Sequence, residues 1–146
     1  MPLPIPAVLV AALTASFAAG PAINVRKLST GGMVNAVSAG IASGTLNNHA
    51  TLWGKSRPLD VHPAGFGFSA ISASAGALCV GHAGTGSLSQ VPIVWTDGQP
   101  SVLPIPFDFV YGRATATDGV QIVGYAAETD PEQTVGQSHA LVWDLS

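Results

Sequence analysis

Histidines and carboxylates are the groups of this sequence that could carry acid–base or metal chemistry. Two of the four histidines, His49 and His139, stand at the same place in two similar segments that end in tryptophan. A protein metal site needs three or four converging ligands, but a third segment of this kind has Val91 at that place. We therefore predict that both histidines are structural and bond to turn backbone or pack beside a tryptophan. His62 and His82 are predicted to have the same role, as isolated residues of loops or strand ends.

Three carboxylates stand close together near the C-terminal end, at Glu128, Asp130 and Glu132. Loops on a rigid scaffold are where binding residues concentrate, and carboxylates this close could also hold a hard cation such as Ca²⁺. The D-x-D-x-D-G pattern of a calcium loop is absent, which favours a solvated loop. We predict a loop over residues 128–132 and take the three carboxylates as candidate binding residues.

The common catalytic motifs are absent from the sequence, which has no G-x-S-x-G elbow, P-loop, dinucleotide fingerprint, H-E-x-x-H or C-x-x-C. Asp97 and Asp118 precede glycines, and this order is typical of turns. Cys79 lies in an apolar segment and is predicted to be a small buried hydrophobe. Besides the acidic loop, only Asp60 and His62 are left without an explanation. We predict no catalytic residue, no metal and no cofactor.

Composition indicates one folded domain or a piece of a larger protein. The chain has 146 residues, of which 47% are hydrophobic and 9% charged, and its net charge is −3. This apolar content excludes a disordered chain, and the acidic balance offers no basic surface for nucleic acid. With one cysteine there is no internal disulfide, so the fold must depend on packing.

The N-terminal residues 1–27 differ from the rest of the chain. The apolar run 7–19 is shorter than the ~20 residues of a membrane-spanning helix, so we predict that the protein is not transmembrane. The run is similar to the apolar region of a signal peptide, but prolines stand where the basic region should be. The alternative is a strand or a degenerate part of the repeat described next.

Residues 28–146 contain a threefold internal repeat marked by tryptophans that are 42 and 48 residues apart. Each unit has a run of small residues that closes on a glycine, then a second glycine, and then a β-rich segment that ends in the tryptophan. The three sets are Gly40, Gly44 and Trp53; Gly76, Gly81 and Trp95; and Gly119, Gly124 and Trp143. Each unit is predicted to be four short strands, and the fold to be all-β.

Four antiparallel strands at this period are typical of a β-propeller blade. Small residues suit a strand crowded near the axis, and a tryptophan can fill the gap between neighbouring blades. Three units plus a partial one indicate an open propeller or a fragment, because closed propellers have about four blades or more. Residues 2–6 repeat the Leu-Pro-Ile-Pro of residues 103–106, and we expect them to supply a missing outer strand.

The pattern A-x-x-x-G-x-x-V-G…H-A-x-x-W resembles the HAF-type probable extracellular repeat family of bacterial proteins. The third unit matches best, at Ala116, Gly119, Val123, Gly124, Tyr125, His139, Ala140 and Trp143. The first unit keeps the His-Ala and the tryptophan, whereas the second has Val91-Pro92 in place of His-Ala. The resemblance implies a propeller-like β structure and an extracellular or secreted location, and it brings no known catalytic chemistry.

The function expected from these observations is a non-catalytic exported repeat domain that acts as a structural or binding scaffold. Its partner would be a small molecule, a glycan or a protein, and self-association or missing blades from a longer chain are also expected. One alternative is a polysaccharide-active propeller hydrolase or lyase, which needs paired carboxylates. Another is a β-trefoil lectin, because three four-stranded units also fit that fold.

Overall fold

The structure is a computed structural model that describes residues 25–86, 89–129 and 135–145, and its regular elements in these ranges are all β-strands. This confirms the all-β prediction. The strands are β1 (Gly32–Ser38), β2 (Ile41–Leu46), β3 (His49–Trp53), β4 (Leu59–Asp60), β5 (Phe68–Ala75), β6 (Leu78–Gly86), β7 (Ser89–Thr96), β8 (Gln99–Val102), β9 (Tyr111–Thr117), β10 (Gln121–Thr129) and β11 (Val135–Asp144). In the described ranges no helix is long and apolar enough to cross a bilayer.

Each repeat unit forms its own antiparallel sheet, with the strands in chain order. The first sheet is β1–β4, the second is β5–β8, and the third is β9–β11. Four strands per unit are therefore found in the first two units, and three are found in the described part of the third. Residues 1–24, which include the apolar run and the expected outer strand at 2–6, lie outside the described residues.

The first glycine of each unit forms the turn between the unit's first two strands. Gly40, Gly76 and Gly119 have φ values of 77°, 61° and 97°, in the left-handed region that glycine tolerates best. The Asp97–Gly98 turn is similar, with φ values of 51° and 79°, as in a type I′ hairpin. The glycines singled out by their spacing are thus required by backbone conformation.

The second glycine of each unit faces a β-bulge in the unit's first strand. The registers shift between Val34 and Ala36, between Ile71 and Ala73, and opposite Gly124 in the third sheet. A Cβ atom on Gly44, Gly81 or Gly124 would collide with a backbone carbonyl oxygen of that strand. Only glycine fits opposite these bulges, which explains its recurrence in all three units.

The three sheets pack face to face, with the second sheet in the middle. We call the side of each sheet that bears its tryptophan the tryptophan face, and the other side the opposite face. Ile71, Ile93 and Trp95, on the tryptophan face of the second sheet, pack with Ala50 and Leu52 of the first. The opposite face of the second sheet packs in turn against the tryptophan face of the third, and the residues of this core are Val80, Val94, Leu103, Ala114, Ile122 and Trp143.

Two single residues of the second sheet test the sequence predictions. Cys79 is buried in the first core, as predicted, and this burial raises the pKa of its thiol. A proline has no N–H for a ladder and is expected at a strand start or an edge, whereas Pro92 is the fourth residue of β7. Its lack of an N–H is tolerated because the pairing with β8 begins only at the next residue, Ile93.

Candidate functional site

The three tryptophans occupy one register position in the three sheets. Trp53 pairs with Ala42, Trp95 with Cys79, and Trp143 with Ile122, in each case two residues before the bulge glycine. Trp53 and Trp95 are buried, whereas Trp143 is half-buried.

The indole N–H groups of two tryptophans bind the chain that enters their own sheet. Trp95 Nε1 donates to the Val61 carbonyl at 2.7 Å, and Trp143 Nε1 donates to the Pro104 carbonyl at 2.7 Å. Both acceptors lie just after the last strand of the preceding sheet. Trp53 Nε1 is also buried but has no hydrogen-bond partner among the described residues.

Polar side chains gather where the first sheet meets the second, beginning with His49 and Asp60. His49 Nδ1 donates to Asp60 Oδ2 at 2.7 Å, and the backbone N–H of His62 donates to Asp60 Oδ1 at 2.8 Å. Slight desolvation raises the pKa of Asp60, but these hydrogen bonds outweigh it and hold that pKa below its ordinary value. The His49 and His62 rings stack in parallel, with centroids 4.0 Å apart.

His62 and Ser69 form the buried half of this cluster. His62 Nε2 donates to the Phe66 carbonyl at 3.0 Å, which leaves Nδ1 as the acceptor for the Ser69 hydroxyl at 2.7 Å. Ser69 Oγ also accepts the backbone N–H of Ala50 at 2.9 Å. Ser69 is buried in β5, and its two bonds join this strand of the second sheet to Ala50 of the first sheet and to His62 in the segment between the two sheets.

The residue types of this cluster are those of a Ser-His-Asp hydrolase, but its hydrogen bonds differ from those of a catalytic triad. In such a triad one histidine ring bonds to both the serine and the carboxylate, whereas here the Ser69 hydroxyl bonds to the ring of His62 and Asp60 bonds to the ring of His49. The Ser69 hydroxyl faces no solvent. A metal has no site here either, because parallel stacked rings do not aim two nitrogens at one ion. The described ranges contain no group of three or more His, Cys, Asp or Glu side chains suited to a metal.

An open cleft of about 260 Å³ lies beside the exposed half of the cluster. His49 and Asp60 form part of its wall, and its other lining residues are Leu46, Asn47, Thr51 and Pro58. Asn47 belongs to the β2–β3 turn, where it and Asn48 have φ values of 51° and 65°. Asparagine is one of the few residues that adopt this conformation readily, so the turn brings an amide to the cleft.

The third sheet carries a looser version of the His49–Asp60 pair. His139 Nε2 lies 3.9 Å from Glu128 Oε1, and its ring contacts Phe109 edge-on at 5.0 Å between centroids. We predicted that His49 and His139 would bond to turn backbone or pack beside a tryptophan, and the structure places a carboxylate beside each ring. His49 begins β3 and His139 lies in the middle of β11, and each has an exposed carboxylate within reach.

The acidic segment is described only in part. The loop was predicted to begin at residue 128, but β10 extends to Thr129, so Glu128 lies within the strand. Asp130 and Glu132 lie outside the described residues.

His82 and Arg113 form a second polar cluster that sequence reasoning missed. His82 lies in the middle of β6 rather than in a loop or at a strand end. Burial and the positive charge of Arg113 lower the pKa of His82 to about 4, and its buried Nδ1 has no hydrogen-bond partner in the part of the chain that the structure describes. Arg113 Nε donates to Gln90 Oε1 at 2.6 Å, and its guanidinium lies 5.7 Å from the centre of the Tyr111 ring. These residues come from different sheets, so no local pattern indicates the cluster.

Comparisons with known proteins identify no relative. No protein-family model matches the chain, and neither the curated proteins nor the solved structures give a significant match.

Proposed function

We propose that this chain is a non-catalytic, exported repeat domain of propeller type that binds a polyhydroxylated ligand, such as a glycan, in the cleft beside Asp60. The observation that carries the proposal is that some polar groups of the cluster are bonded internally while others are accessible. The hydroxyl of Ser69 and both ring nitrogens of His62 are used up by bonds within the protein. Asp60 and His49 remain accessible in the cleft.

The chemistry of the cleft suits a ligand that offers hydroxyl groups and apolar C–H surface. The Asp60 carboxylate has acceptor capacity beyond its two internal bonds, and the Asn47 amide adds donors and an acceptor. Leu46 and Pro58 supply apolar wall. Asp60 is ionised at neutral pH because its pKa is held low, so it accepts hydrogen bonds from hydroxyl groups.

The two alternatives are less well supported. Glycoside hydrolysis uses a pair of carboxylates across the scissile bond, but Asp60 is the single carboxylate among the described residues that line the cleft. A β-trefoil joins its strands in a barrel, whereas the described strands form three separate sheets.

The propeller arrangement, the HAF-type resemblance and export are parts of the same proposal. The first strands β1, β5 and β9 contact one another in succession, as strands near a common axis do. The bulge glycines and tryptophans of the family-like pattern recur at matching register positions. Export is supported by the signal-like apolar run at residues 7–19.

The test is a titration of the full chain with a panel of mono- and oligosaccharides, with NMR chemical shifts as the readout. We expect saturable shifts at His49 and Asn47, and we expect Asp60→Asn to weaken binding while the matched turn variant Asp97→Asn does not. A triple Glu128→Ala, Asp130→Ala, Glu132→Ala variant reports on the acidic segment. Loss of binding in that variant alone would move the site there.

The same samples test the absence of catalysis. We expect no release of reducing ends from polysaccharides and no hydrolysis of chromogenic esters. Turnover that His62→Ala or Asp60→Asn abolishes would refute the non-catalytic proposal.

A further inference from the structure

A second cavity, larger than the cleft, lies across the β2–β3 turn from it. Its volume is about 430 Å³, within the range of about 300–1,000 Å³ that is usual for ligand sites, whereas the cleft alone is smaller. We call it the asparagine cavity, because three of the chain's four asparagines line it. Its wall is formed by the two glycines before Met33 and by Met33, Asn35, Thr45, Asn47, Asn48 and Ala70. Asn47 also lines the cleft, so one side chain borders both spaces.

The asparagine cavity opens between the first two sheets. Met33 pairs with Thr45 and Thr45 with Ala50, so these side chains share one face of the first sheet. Ala50 is buried against the second sheet, which makes this the opposite face. Asp60 instead pairs with Thr51 and lies on the tryptophan face. The cavity and the cleft therefore flank the same edge of the first sheet, and a chain-like ligand that crosses the β2–β3 turn can occupy both.

Asn35 reaches the asparagine cavity because of a β-bulge. It is the extra residue where the register of β1 and β2 shifts, between Val34 and Ala36, and bulges re-aim side chains. Its Nδ2 donates to the Ile71 carbonyl at 2.7 Å, which holds the amide in place. The second N–H and the Oδ1 atom are available to a ligand.

The β2–β3 turn supplies the other two amides. Asn47 and Asn48 are both exposed, and their positive φ values fix the direction of the turn. The Asn48 carbonyl accepts the backbone N–H of Ser69 at 2.9 Å, which ties the turn to the second sheet. The backbone that carries these amides is thus already ordered, and this lowers the cost of binding.

The two spaces favour an uncharged ligand. The described residues that line the asparagine cavity carry no charge, and those that line the cleft include the Asp60 carboxylate but no lysine or arginine. Asp60 would repel a carboxylate or sulfate on a ligand, and no cation of the lining would offset this repulsion. Met33 is 65% exposed and adds a polarizable apolar surface to the cavity.

An acetamido group combines the features that this lining can recognise. Its N–H and carbonyl can pair with a side-chain amide, and its methyl group can lie against Met33. We infer that the ligand of this protein is a neutral oligosaccharide with acetamido groups, which places one acetamido sugar in the asparagine cavity and continues over Asn47 into the cleft. This inference names the ligand of the site proposed above and therefore rests on the proposed function.

Isothermal titration calorimetry of the full chain compares N-acetylglucosamine, its trimer, a glucose trimer and a galacturonic acid trimer. We expect the N-acetylglucosamine trimer to bind about tenfold more tightly than the glucose trimer, because it gains one or two net hydrogen bonds. The monomer should bind more weakly than its trimer, since it is too short to reach both spaces. The galacturonic acid trimer should bind most weakly, because its carboxylates meet Asp60.

Asn48→Gly is the variant that isolates the asparagine cavity. Glycine adopts the φ of 65° at residue 48, so the turn is kept while the amide is lost, and Asn48 does not line the cleft. This variant should bind the N-acetylglucosamine trimer about tenfold more weakly, with a smaller loss for the glucose trimer. Ala39→Gly is the matched control, because Ala39 has a φ of 49° in the β1–β2 turn at the other end of the sheet. It should bind as the wild type does.

The results separate this inference from the proposed function. Equal affinity for the two neutral trimers, a preference for the galacturonic acid trimer, or wild-type affinity in Asn48→Gly would overturn the inference. In each of these cases, loss of binding in Asp60→Asn would still support the proposed function. A folded wild type that binds none of the saccharides would overturn both.

Discussion

Replacing Trp95 with phenylalanine should destabilise the protein more than the same replacement at Trp53. Both indoles are buried at the same register position, and both variants lose similar ring surface. They differ in one hydrogen bond. Trp95 Nε1 donates to the Val61 carbonyl, whereas Trp53 Nε1 has no acceptor within the described ranges.

The expected difference in unfolding free energy follows from the hydrogen-bonding groups that each substitution leaves without a partner. Trp95→Phe leaves a buried carbonyl without its donor, which costs about 1–3 kcal/mol. Trp53→Phe removes a buried N–H that has no acceptor, so this penalty does not arise. The free energies of unfolding of the two variants should differ by about 2 kcal/mol. Trp143→Phe should fall between them, because its bond to Pro104 is exposed and water can replace the lost donor.

Urea unfolding followed by far-UV circular dichroism measures this difference at one protein concentration. The comparison is made between variants that have the same m-value, so that a change in midpoint reports a change in stability. Equal midpoints for Trp53→Phe and Trp95→Phe, or a lower midpoint for Trp53→Phe, would refute the hydrogen-bond argument.

Three further outcomes are expected from the same measurement. Gly81→Ala should cost about 3 kcal/mol or prevent folding, because its Cβ would strike the carbonyl of the facing strand, whereas Gly86→Ala, which meets nothing within 4 Å, should be nearly neutral. Ser69→Ala should cost about 1–3 kcal/mol because it leaves the buried N–H of Ala50 without its acceptor, whereas the hydroxyl of Ser74 has no partner among the residues described and its removal should cost little. The fold lowers the pKa of His82 from 6.5 to about 4, so as the pH falls its ring is protonated in the unfolded chain before it is protonated in the folded protein. Unfolding free energy should decline between these pH values by about 1–2 kcal/mol, less than the full linkage value because the ring is partly solvated, and His82→Gln should abolish this decline.

The repeat was predictable from sequence because its marks are local. Glycines at a turn and opposite a bulge, and a tryptophan in the third strand, recur with spacings that can be recognised without a structure. Only half of the polar cluster could be recognised from the sequence. Asp60 and His62 are two residues apart and stood out as unexplained, but Ser69 and His49 reach them through pairing between strands and packing between sheets. Contacts of this kind have no local signature, and for the same reason the environment of His82 was missed.

The bulge glycines also bear on how such a chain can change. A side chain at Gly81 would collide with the facing strand and shift the main chain. One position in the third strand is more tolerant, because its three equivalents hold histidine at 49 and 139 and valine at 91. Each unit thus combines a fixed frame with one position in its third strand whose side chain differs between units. Val91 packs against the first core, whereas the side chain of His139 is 45% exposed, so an engineer could exchange residue 139 for a chosen polar group and alter the surface of the third sheet without redesigning the scaffold.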